Sequence, residues 1–132
     1  MTFERHPLLV VDVIIPTSEG VILIKRAREP YKGRWALPGG FVRYGERVEE
    51  AAVREAEEET GLKVRLKELV GVYSEPNRDP RGHLVSICFL AERVSGKLST
   101  SDEAMEVRAF ERIPWQELAF DHARMLKDAG FG

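Results

Sequence analysis

Residues 40–62 read GFVRYGERVEEAAVREAEEETGL, and this stretch decides how the chain folds around its most unusual chemistry. Between Glu46 and Thr60 there is neither glycine nor proline, and Gly61 stands where a left-handed residue commonly ends a helix. The stretch therefore predicts a helix of about four turns. Seven acidic residues against two arginines give this helix a net charge of −5, which leaves +3 for the rest of a chain whose total is −2.

The glutamates of the predicted helix fall on two different faces of a helical wheel drawn at about 100° per residue. A stripe of small apolar residues should face the protein interior: Val48, Ala51, Ala52 and Ala56. Three glutamates lie opposite this stripe, as solvated residues do: Glu49, Glu50 and Glu57. Three others lie inside or beside the stripe, in the last two turns: Glu55, Glu58 and Glu59. Only the second set needs an explanation other than solvation.

Carboxylates at positions i, i+3 and i+4 on the inward side of one helix repel each other and resist desolvation. Their place near the negative end of the helix dipole adds to the cost. Hard divalent cations relieve these costs together, and Mg²⁺ typically accepts one or two carboxylates plus phosphate oxygens. The spacing therefore predicts a metal site. Arg54 is in reach of Glu50 and Glu58, either as a surface ion pair or as a group that orients the cluster.

The spacing of these residues is also that of a known motif. Gly40-x5-Glu46-x7-Arg54-Glu55-Ala56-x-Glu58-Glu59-x-Gly61-Leu62 resembles the Nudix box, with Ala56 smaller than the usual apolar residue. The segment 35–41, WALPGGF, is similar to the usual lead-in of that family, and Arg43 departs from it where many members carry an acid. The resemblance implies a Nudix hydrolase, which cleaves nucleoside diphosphates linked to another group.

The resemblance also implies a fold and a set of roles. The fold would be an α/β/α sandwich around a central mixed β-sheet, in one domain over residues 1–132 with the box at 40–62. The cofactor would be Mg²⁺, with Mn²⁺ as an alternative. The implied metal ligands are three side chains and one backbone carbonyl: Glu55, Glu58, Glu59 and Gly39. Glu46 would assist at the rim of the site, and Arg54 would hold the glutamates in place.

Family members often take a further glutamate, as ligand or general base, from a loop after the central strands. Residues 101–106, SDEAME, offer Glu103 and Glu106, and we favour Glu103. Either is equally well explained as a solvated loop acid. The general base is therefore left open between these two and a glutamate of the box.

A second resemblance concerns the substrate. Pro76 lies 15 residues after Gly61, and the segments 73–83 and 119–122 are similar to those of the ADP-ribose pyrophosphatase subset. ADP-ribose would be split to AMP and ribose 5-phosphate. Four arginines suit its phosphates, because guanidinium groups bind phosphate bidentately: Arg26, Arg28, Arg78 and Arg81. Aromatic residues that either stack on adenine or pack the core are Tyr31, Trp35, Phe41 and Tyr73.

Two other functions fit the same box. One is a pyrophosphohydrolase that acts on a (deoxy)nucleoside triphosphate, such as an oxidised nucleotide. The other is a non-catalytic sensor of sugar nucleotides, which intact glutamates make less favoured. The products formed from a substrate panel would distinguish these functions.

The remaining segments predict a mixed α/β pattern. Leu8–Ile15 and Val21–Lys25 are expected to form strands joined by a hairpin turn. Further strands are expected over 64–74, 84–91 and 107–110, with a short helix after Pro114 and a closing helix over 120–129. Cys88, the single cysteine, lies mid-strand and is expected to be a buried packing residue.

Composition limits the partners. A near-balanced 20 basic and 22 acidic residues argue against a nucleic-acid or acidic-membrane binder, and no apolar run approaches the roughly 20 residues of a membrane span. Residues 1–7 lack the pattern of a secretory signal, so we expect a cytoplasmic protein. The expected partner is a small-molecule nucleotide, and the family resemblance implies a homodimer.

Overall fold

A computed structural model describes residues 5–132 of the chain. Eight strands, two α-helices and one 3₁₀ turn follow each other along it: β1 Leu8–Ile14, β2 Pro16–Thr17, β3 Gly20–Arg26, β4 Trp35–Ala36, β5 Gly39–Phe41, α1 Val48–Thr60, β6 Leu62–Tyr73, β7 Leu84–Gly96, β8 Ala104–Phe110, the turn Trp115–Glu117 and α2 His122–Asp128. Among residues 5–132, no helix is both long enough and apolar enough to cross a membrane.

The strands form two sheets. The first has the order β5-β1-β7-β6, and it is mixed, because β1 and β7 run parallel while the other pairs are antiparallel. The second contains β2, β3 and β4, with β8 paired to β3. The predicted α/β fold with a mixed sheet is confirmed, and the division into two sheets is an addition to it.

The expected hairpin turn is present, but the strands that it joins pair over a shorter length than expected. Pro16 and Thr17 pair with Val21 and Gly20 of β3, and the carbonyl of Ile15 accepts the N–H of Ile22 at 3.1 Å. The seven residues of β1 pair instead with β7, from Leu8↔Leu84 to Ile14↔Leu90. Alternation of apolar residues predicts a strand, but it does not identify the partner of that strand.

Helix α1 begins at Val48, two residues later than predicted, and ends at Gly61 as expected, with φ 79°. Arg47 precedes its first turn, and its backbone N–H donates to the Glu50 carboxylate at 3.0 Å. The small stripe is buried as predicted: Ala51, Ala52 and Ala56 are 0% exposed and pack against the valines of β1. This packing presses the last two turns of α1 against the loop before β5.

The closing helix is shorter than expected. The sequence predicts residues 120–129, but α2 begins only at His122, because Phe120 adopts a positive φ of 51°, which no helix tolerates. Met125 and Leu126 anchor α2 in the core beside Trp35 and Leu37. Cys88 is buried in the same cluster, as predicted.

Candidate active site

One cleft of about 620 Å³ gathers residues from β1, the loop before β5, α1, and the loops around residues 78–81 and 101–103. Its volume is in the range of small-molecule sites. The predicted rim residue Glu46 does not line this cleft, whereas ten other residues that the sequence predicts for the site do: Arg26, Arg28, Gly39, Arg54, Glu55, Glu58, Glu59, Arg78, Arg81 and Glu103. Their roles stay predictions, but their common location is a property of the fold.

Helix α1 presents its three glutamates unequally. Glu55 is 8% exposed and Glu59 is 7% exposed, so both are turned inward as predicted. The side chain of Glu58 is 49% exposed, so it lies on the rim rather than the floor. The wheel predicted this residue at the border of the apolar stripe, and the narrow stripe of alanines leaves that border open to solvent.

Burial and crowding oppose the ionisation of the two inward glutamates. Burial raises the pKa of Glu55 to about 7, with a hydrogen bond to Glu58 adding to the effect and Arg54 opposing it. Burial likewise raises the pKa of Glu59 to about 8. The backbone N–H of Gly39 opposes this shift, while the charges of Glu55, Glu103 and Asp12 increase it. The cleft floor therefore concentrates negative charge that protein donors offset only in part.

Arg54 is the cation at the edge of this cluster. Its guanidinium donates to Glu55 at 2.6 Å, to Glu58 at 3.2 Å and to the carbonyl of Phe41 at 3.1 Å. Two further bonds, at 2.7 and 3.0 Å, go to Glu46. The Arg54 guanidinium holds the pKa of Glu46 down at about 2. Arg54 thus fixes the loop before α1 and two of the helix glutamates in one network.

One predicted partner of Arg54 is wrong. Glu50 does not contact Arg54, because its carboxylate accepts the backbone N–H of Arg47 at the start of α1. Glu46, eight residues before Arg54, takes that place instead. The loop before the helix folds back along it, which the i±4 rule for helix faces does not consider.

Two glycines bring the backbone against the glutamates. The N–H of Gly39 donates to Glu59 at 2.7 Å. A Cβ on Gly39 would lie 2.1 Å from the carbonyl oxygen of Val11, and one on Gly40 would lie 1.6 Å from a carboxylate oxygen of Glu55. Only glycine permits this approach.

The donor set fits a divalent cation by its chemistry. The inward groups are carboxylate oxygens beside backbone, which are the ligands that Mg²⁺ and Mn²⁺ accept. Within residues 5–132, no three acidic, histidine or cysteine side chains already converge as a closed cage. Glu55 and Glu58 are instead bonded to Arg54. A cation bound here would share these carboxylates with Arg54.

The acidic loop places one of its two candidates at the site. Glu103 lines the cleft, and its charge contributes to the raised pKa of Glu59. Glu106 lies on β8, 3.6 Å from Arg108, and is not among the residues lining the cleft. The location favours Glu103.

The four predicted arginines differ in their surroundings. The guanidinium of Arg78 is 5% exposed and donates twice to Asp121, at 2.6 and 2.8 Å. Arg81 is bound to Asp79 at 2.8 Å and faces the rings of Phe41 and Phe120, each 5.5 Å away. Because its guanidinium is buried and bound to Asp121, Arg78 stabilises the wall of the cleft.

Of the other two arginines, Arg26 faces the same Phe120 ring as Arg81. Arg26 donates to the carbonyl of Pro30 at 2.6 Å and lies 5.0 Å from the ring centroid of Phe120. Arg28 lines the cleft near it. Of the aromatic residues considered from the sequence, Trp35 and Tyr73 are buried packing residues, while Phe41 lines the cleft.

The sequence missed four residues that shape the cleft: Asp12, Asp79, Phe120 and His122. Asp12 carries a recognisable signal, because it is the single charge in the apolar run over residues 8–15. Phe120 and His122 lie in a segment that only its family resemblance distinguished. Asp79 reaches the cleft through its pairing with Arg81.

Comparisons with known proteins give a matching family model and similar proteins. The model of the NUDIX domain family matches residues 6–129. The chain is similar to an ADP-ribose pyrophosphatase of Methanocaldococcus jannaschii, with 51% identity over 93% of this chain and 73% of that protein. It is also similar to the ADPR responsive transcriptional repressor NtrR of Acinetobacter baylyi, with 32% identity over 93% of this chain and 53% of the repressor.

A solved structure shares the fold. The crystal structure of a MutT/nudix family protein from Enterococcus faecalis superimposes with a TM-score of 0.87, at 31% identity, over 98% of this chain and 62% of that one. The chain thus spans between about half and three quarters of the length of these three proteins.

Proposed function

The chain belongs to the Nudix family, and from this premise we propose that it hydrolyses the pyrophosphate bond of ADP-ribose to AMP and ribose 5-phosphate. The observation that carries the proposal is the meeting of buried, mutually repelling carboxylates with several arginines in one cleft. A pyrophosphate bridge needs cations on both sides, and this cleft offers guanidinium groups opposite a carboxylate floor. The archaeal relative, an ADP-ribose pyrophosphatase, supports the choice of substrate.

The cofactor would be Mg²⁺ or Mn²⁺, and the residues that would hold it are Glu55, Glu58, Glu59 and, through its backbone carbonyl, Gly39. When bound, a divalent cation supplies charge neutralisation at the phosphoryl group and activation of the attacking water. Burial of Glu55 and Glu59 excludes competing water from the carboxylates and strengthens their attraction for a cation. Arg54 keeps the carboxylates of α1 oriented between cycles through its bonds to Glu55 and Glu58.

Side chains of the protein bind the phosphates and accept the proton of the attacking water. Arg26, Arg28 and Arg81 bind phosphate oxygens and hold the bridge in line, while Arg78 supports the wall behind them. Glu103 accepts the proton of the attacking water. The water oxygen bonds to one phosphorus, and the bond between that phosphorus and the bridging oxygen breaks. The bridging oxygen leaves with the other phosphate.

A substrate panel tests the proposal. The protein is incubated with Mg²⁺ and, separately, ADP-ribose, NADH, diadenosine polyphosphates and dGTP, and the products are separated by chromatography. We expect ADP-ribose to be preferred by about tenfold or more in kcat/KM. Dominant release of inorganic pyrophosphate from dGTP would replace the proposal by the triphosphate alternative. Binding of ADP-ribose without turnover would favour a sensor, the role that the Acinetobacter repressor supports.

A pair of variants on α1 tests the residues. Glu59→Gln should lower kcat/KM by about a hundredfold or more, because it removes a proposed metal ligand. Glu57→Gln, an exposed position of the same helix, is the matched control and should retain the parent activity. Chelation by EDTA should abolish turnover, and Mg²⁺ or Mn²⁺ should restore it. Equal activity of the two variants, with circular dichroism unchanged, would contradict the assignment.

We also propose that the protein is a homodimer in the cytoplasm. The family resemblance supports the dimer, and β6 at the edge of the first sheet offers a surface for it. The cytoplasmic location stays a prediction from the sequence.

A further inference from the structure

A buried polar cluster lies under the floor of the cleft, and the mechanism above does not use it. Asp12 of β1 is 6% exposed, between two valines that are fully buried. Its carboxylate accepts a hydrogen bond from the hydroxyl of Ser86 at 2.5 Å and lies 3.4 Å from Nε2 of His122. A charge that is buried this deeply lowers the free energy of unfolding unless hydrogen bonds or an ion pair compensate for its desolvation.

The ring of His122 connects this cluster to the site. The residue begins α2 and is 3% exposed. Its Nδ1 accepts the backbone N–H of Leu37 at 3.0 Å, so the proton of the neutral ring is on Nε2, which faces Asp12. Both ring nitrogens are therefore engaged, and the ring does not act as a general base in this state.

The order of the three groups also excludes a hydrolytic triad. Ser86 donates to Asp12, and no bond links it to the histidine that would have to activate it. Ser86 is fully buried as well, so no substrate reaches its hydroxyl. The cluster is thus built to hold a structure rather than to attack a bond.

The structure that it holds is the segment of residues 37–39. Leu37 is bonded to His122, the carbonyl of Pro38 accepts the N–H of Val13 at 2.9 Å, and Gly39 donates to Glu59 at 2.7 Å. Three consecutive residues are therefore tied to α2, β1 and α1 in turn. The bond from Gly39 is the only one of the three that reaches a proposed metal ligand.

Gly39 rests directly on the buried aspartate. The two residues face each other in the pairing of β1 with β5, and a Cβ on Gly39 would lie 2.6 Å from the carboxylate of Asp12. Any shift of Asp12 or His122 would therefore move the backbone that contacts Glu59.

We propose that Asp12 and His122 are positioning residues, which fix residues 37–39 so that Gly39 and Glu59 form one cation-binding arrangement. His122 fixes the position of this segment by accepting the backbone N–H of Leu37, and Asp12 fixes the orientation of the imidazole ring by facing its Nε2. The proposal rests on the proposed function only in taking the carboxylates as the cation site. In this proposal Asp12 and His122 strengthen the binding of the cation and do not contact the substrate.

Two amide substitutions separate the hydrogen bond that Nδ1 accepts from the contact between Nε2 and Asp12. In His122→Asn the side-chain oxygen lies the same number of bonds from Cα as Nδ1, so it can accept from Leu37 while the contact with Asp12 is lost. In His122→Gln the longer side chain reaches towards Asp12 and leaves no acceptor at the position of Nδ1. His122→Ala removes both. Tyr73→Phe is the control, because it removes the 2.7 Å bond to Asp128, which lies at the opposite end of α2 from His122.

The readouts do not need turnover. Mn²⁺ affinity is measured by titration in the absence of nucleotide, and amide hydrogen exchange is followed at Leu37 and Gly39. We expect His122→Gln and His122→Ala to bind Mn²⁺ about tenfold or more weakly, with faster exchange at both amides. His122→Asn should keep most of the affinity and the protection of Leu37. Tyr73→Phe should change the melting temperature but neither readout.

Either of two results would overturn the proposal. One is parent-like Mn²⁺ affinity in His122→Gln. The other is an equal loss of affinity in His122→Asn and His122→Gln with unchanged exchange at Leu37 and Gly39. A parent protein that binds no Mn²⁺ would instead refute the metal-dependent reaction, and amide exchange in the variants would still decide whether His122 holds the segment. Should His122→Ala not fold, the two amide variants carry the test.

Discussion

Single side chains in this protein carry charge where burial disfavours it. Burial raises the pKa of Glu55 and Glu59 to about 7 and about 8, and their own helix contributes Arg54 as the nearest cation. Buried acids with raised pKa values are typical of functional sites. Arg78 is a contrasting case, since its buried charge has a full partner.

The Arg78–Asp121 pair gives a prediction about acid stability. Burial acts to raise the pKa of Asp121, but the two hydrogen bonds from Arg78 outweigh it and hold the pKa below its ordinary value. The stabilisation is thus complete above the unfolded pKa of about 3.9 and is lost as the pH falls through the lower folded value. Asp121→Asn should lower the free energy of unfolding by about 2 kcal/mol at pH 7, since a buried guanidinium loses its counter-charge.

Urea unfolding of the parent and of Asp121→Asn at about pH 7, 5 and 3 measures the difference in their free energies of unfolding across the range in which carboxylates titrate. This difference should be largest at neutral pH and should become smaller as the pH falls. Glu92→Gln, which removes an exposed partner of Arg65, is the control and should change stability little at any pH. A difference for Asp121→Asn that does not narrow in acid would contradict the ion-pair explanation.

At the scale of the element, the stability of α1 depends on the backbone conformation and packing of the glycine at its C-terminal end. Gly61 has φ 79°, and a Cβ there would lie 2.2 Å from the carbonyl oxygen of Lys97. Gly61→Ala should therefore destabilise the fold by about 2 kcal/mol or more, through both conformational strain and steric overlap. Thermal unfolding and denaturant titration measure the loss.

Gly45→Ala is the matched control for that substitution. Gly45 has a nearly equal φ of 83°, but no atom lies within 4 Å of an added Cβ. It should cost about 1 kcal/mol, which represents strain alone. Equal losses at the two glycines would mean that the contact with Lys97 adds nothing.

Element boundaries were predictable where the signal is local. The absence of breakers and the glycine at its end predicted the C-terminal boundary of α1, and the helical spacing of its alanines predicted its buried face. The start of α2 was not predictable in the same way. Phe120 adopts a left-handed conformation, and its ring packs against Tyr31, 4.7 Å away, a neighbour that is distant in sequence.

At the scale of the whole molecule, the proposed dimer can be tested through β6. This strand is at the edge of the first sheet, and Leu69 and Val72 are more than half exposed on it. Sedimentation should give twice the chain mass of 15.0 kDa. Lysine at both positions should shift the protein to monomer, because edge strands with exposed apolar residues favour association and lysine opposes it.

Leu98→Lys, at an exposed apolar position outside β6, is the control and should leave the mass unchanged. A parent protein that sediments as a monomer at micromolar concentration would contradict the dimer. Dimerisation that survives both lysines would place the interface elsewhere on the molecule.

Three features are predictable from local sequence: the helix with its glycine end, the inward side of Glu55 and Glu59, and the family. These features follow from helical periodicity and from a spacing of 23 residues, so they depend on neighbours along the chain. Tertiary structure alone decided that β1 pairs with β7, that Glu46 instead of Glu50 holds Arg54, and that His122 supports the segment before Gly39. The physical reason is that such contacts join segments far apart in sequence, and local periodicity specifies which face of an element is buried but not what covers it.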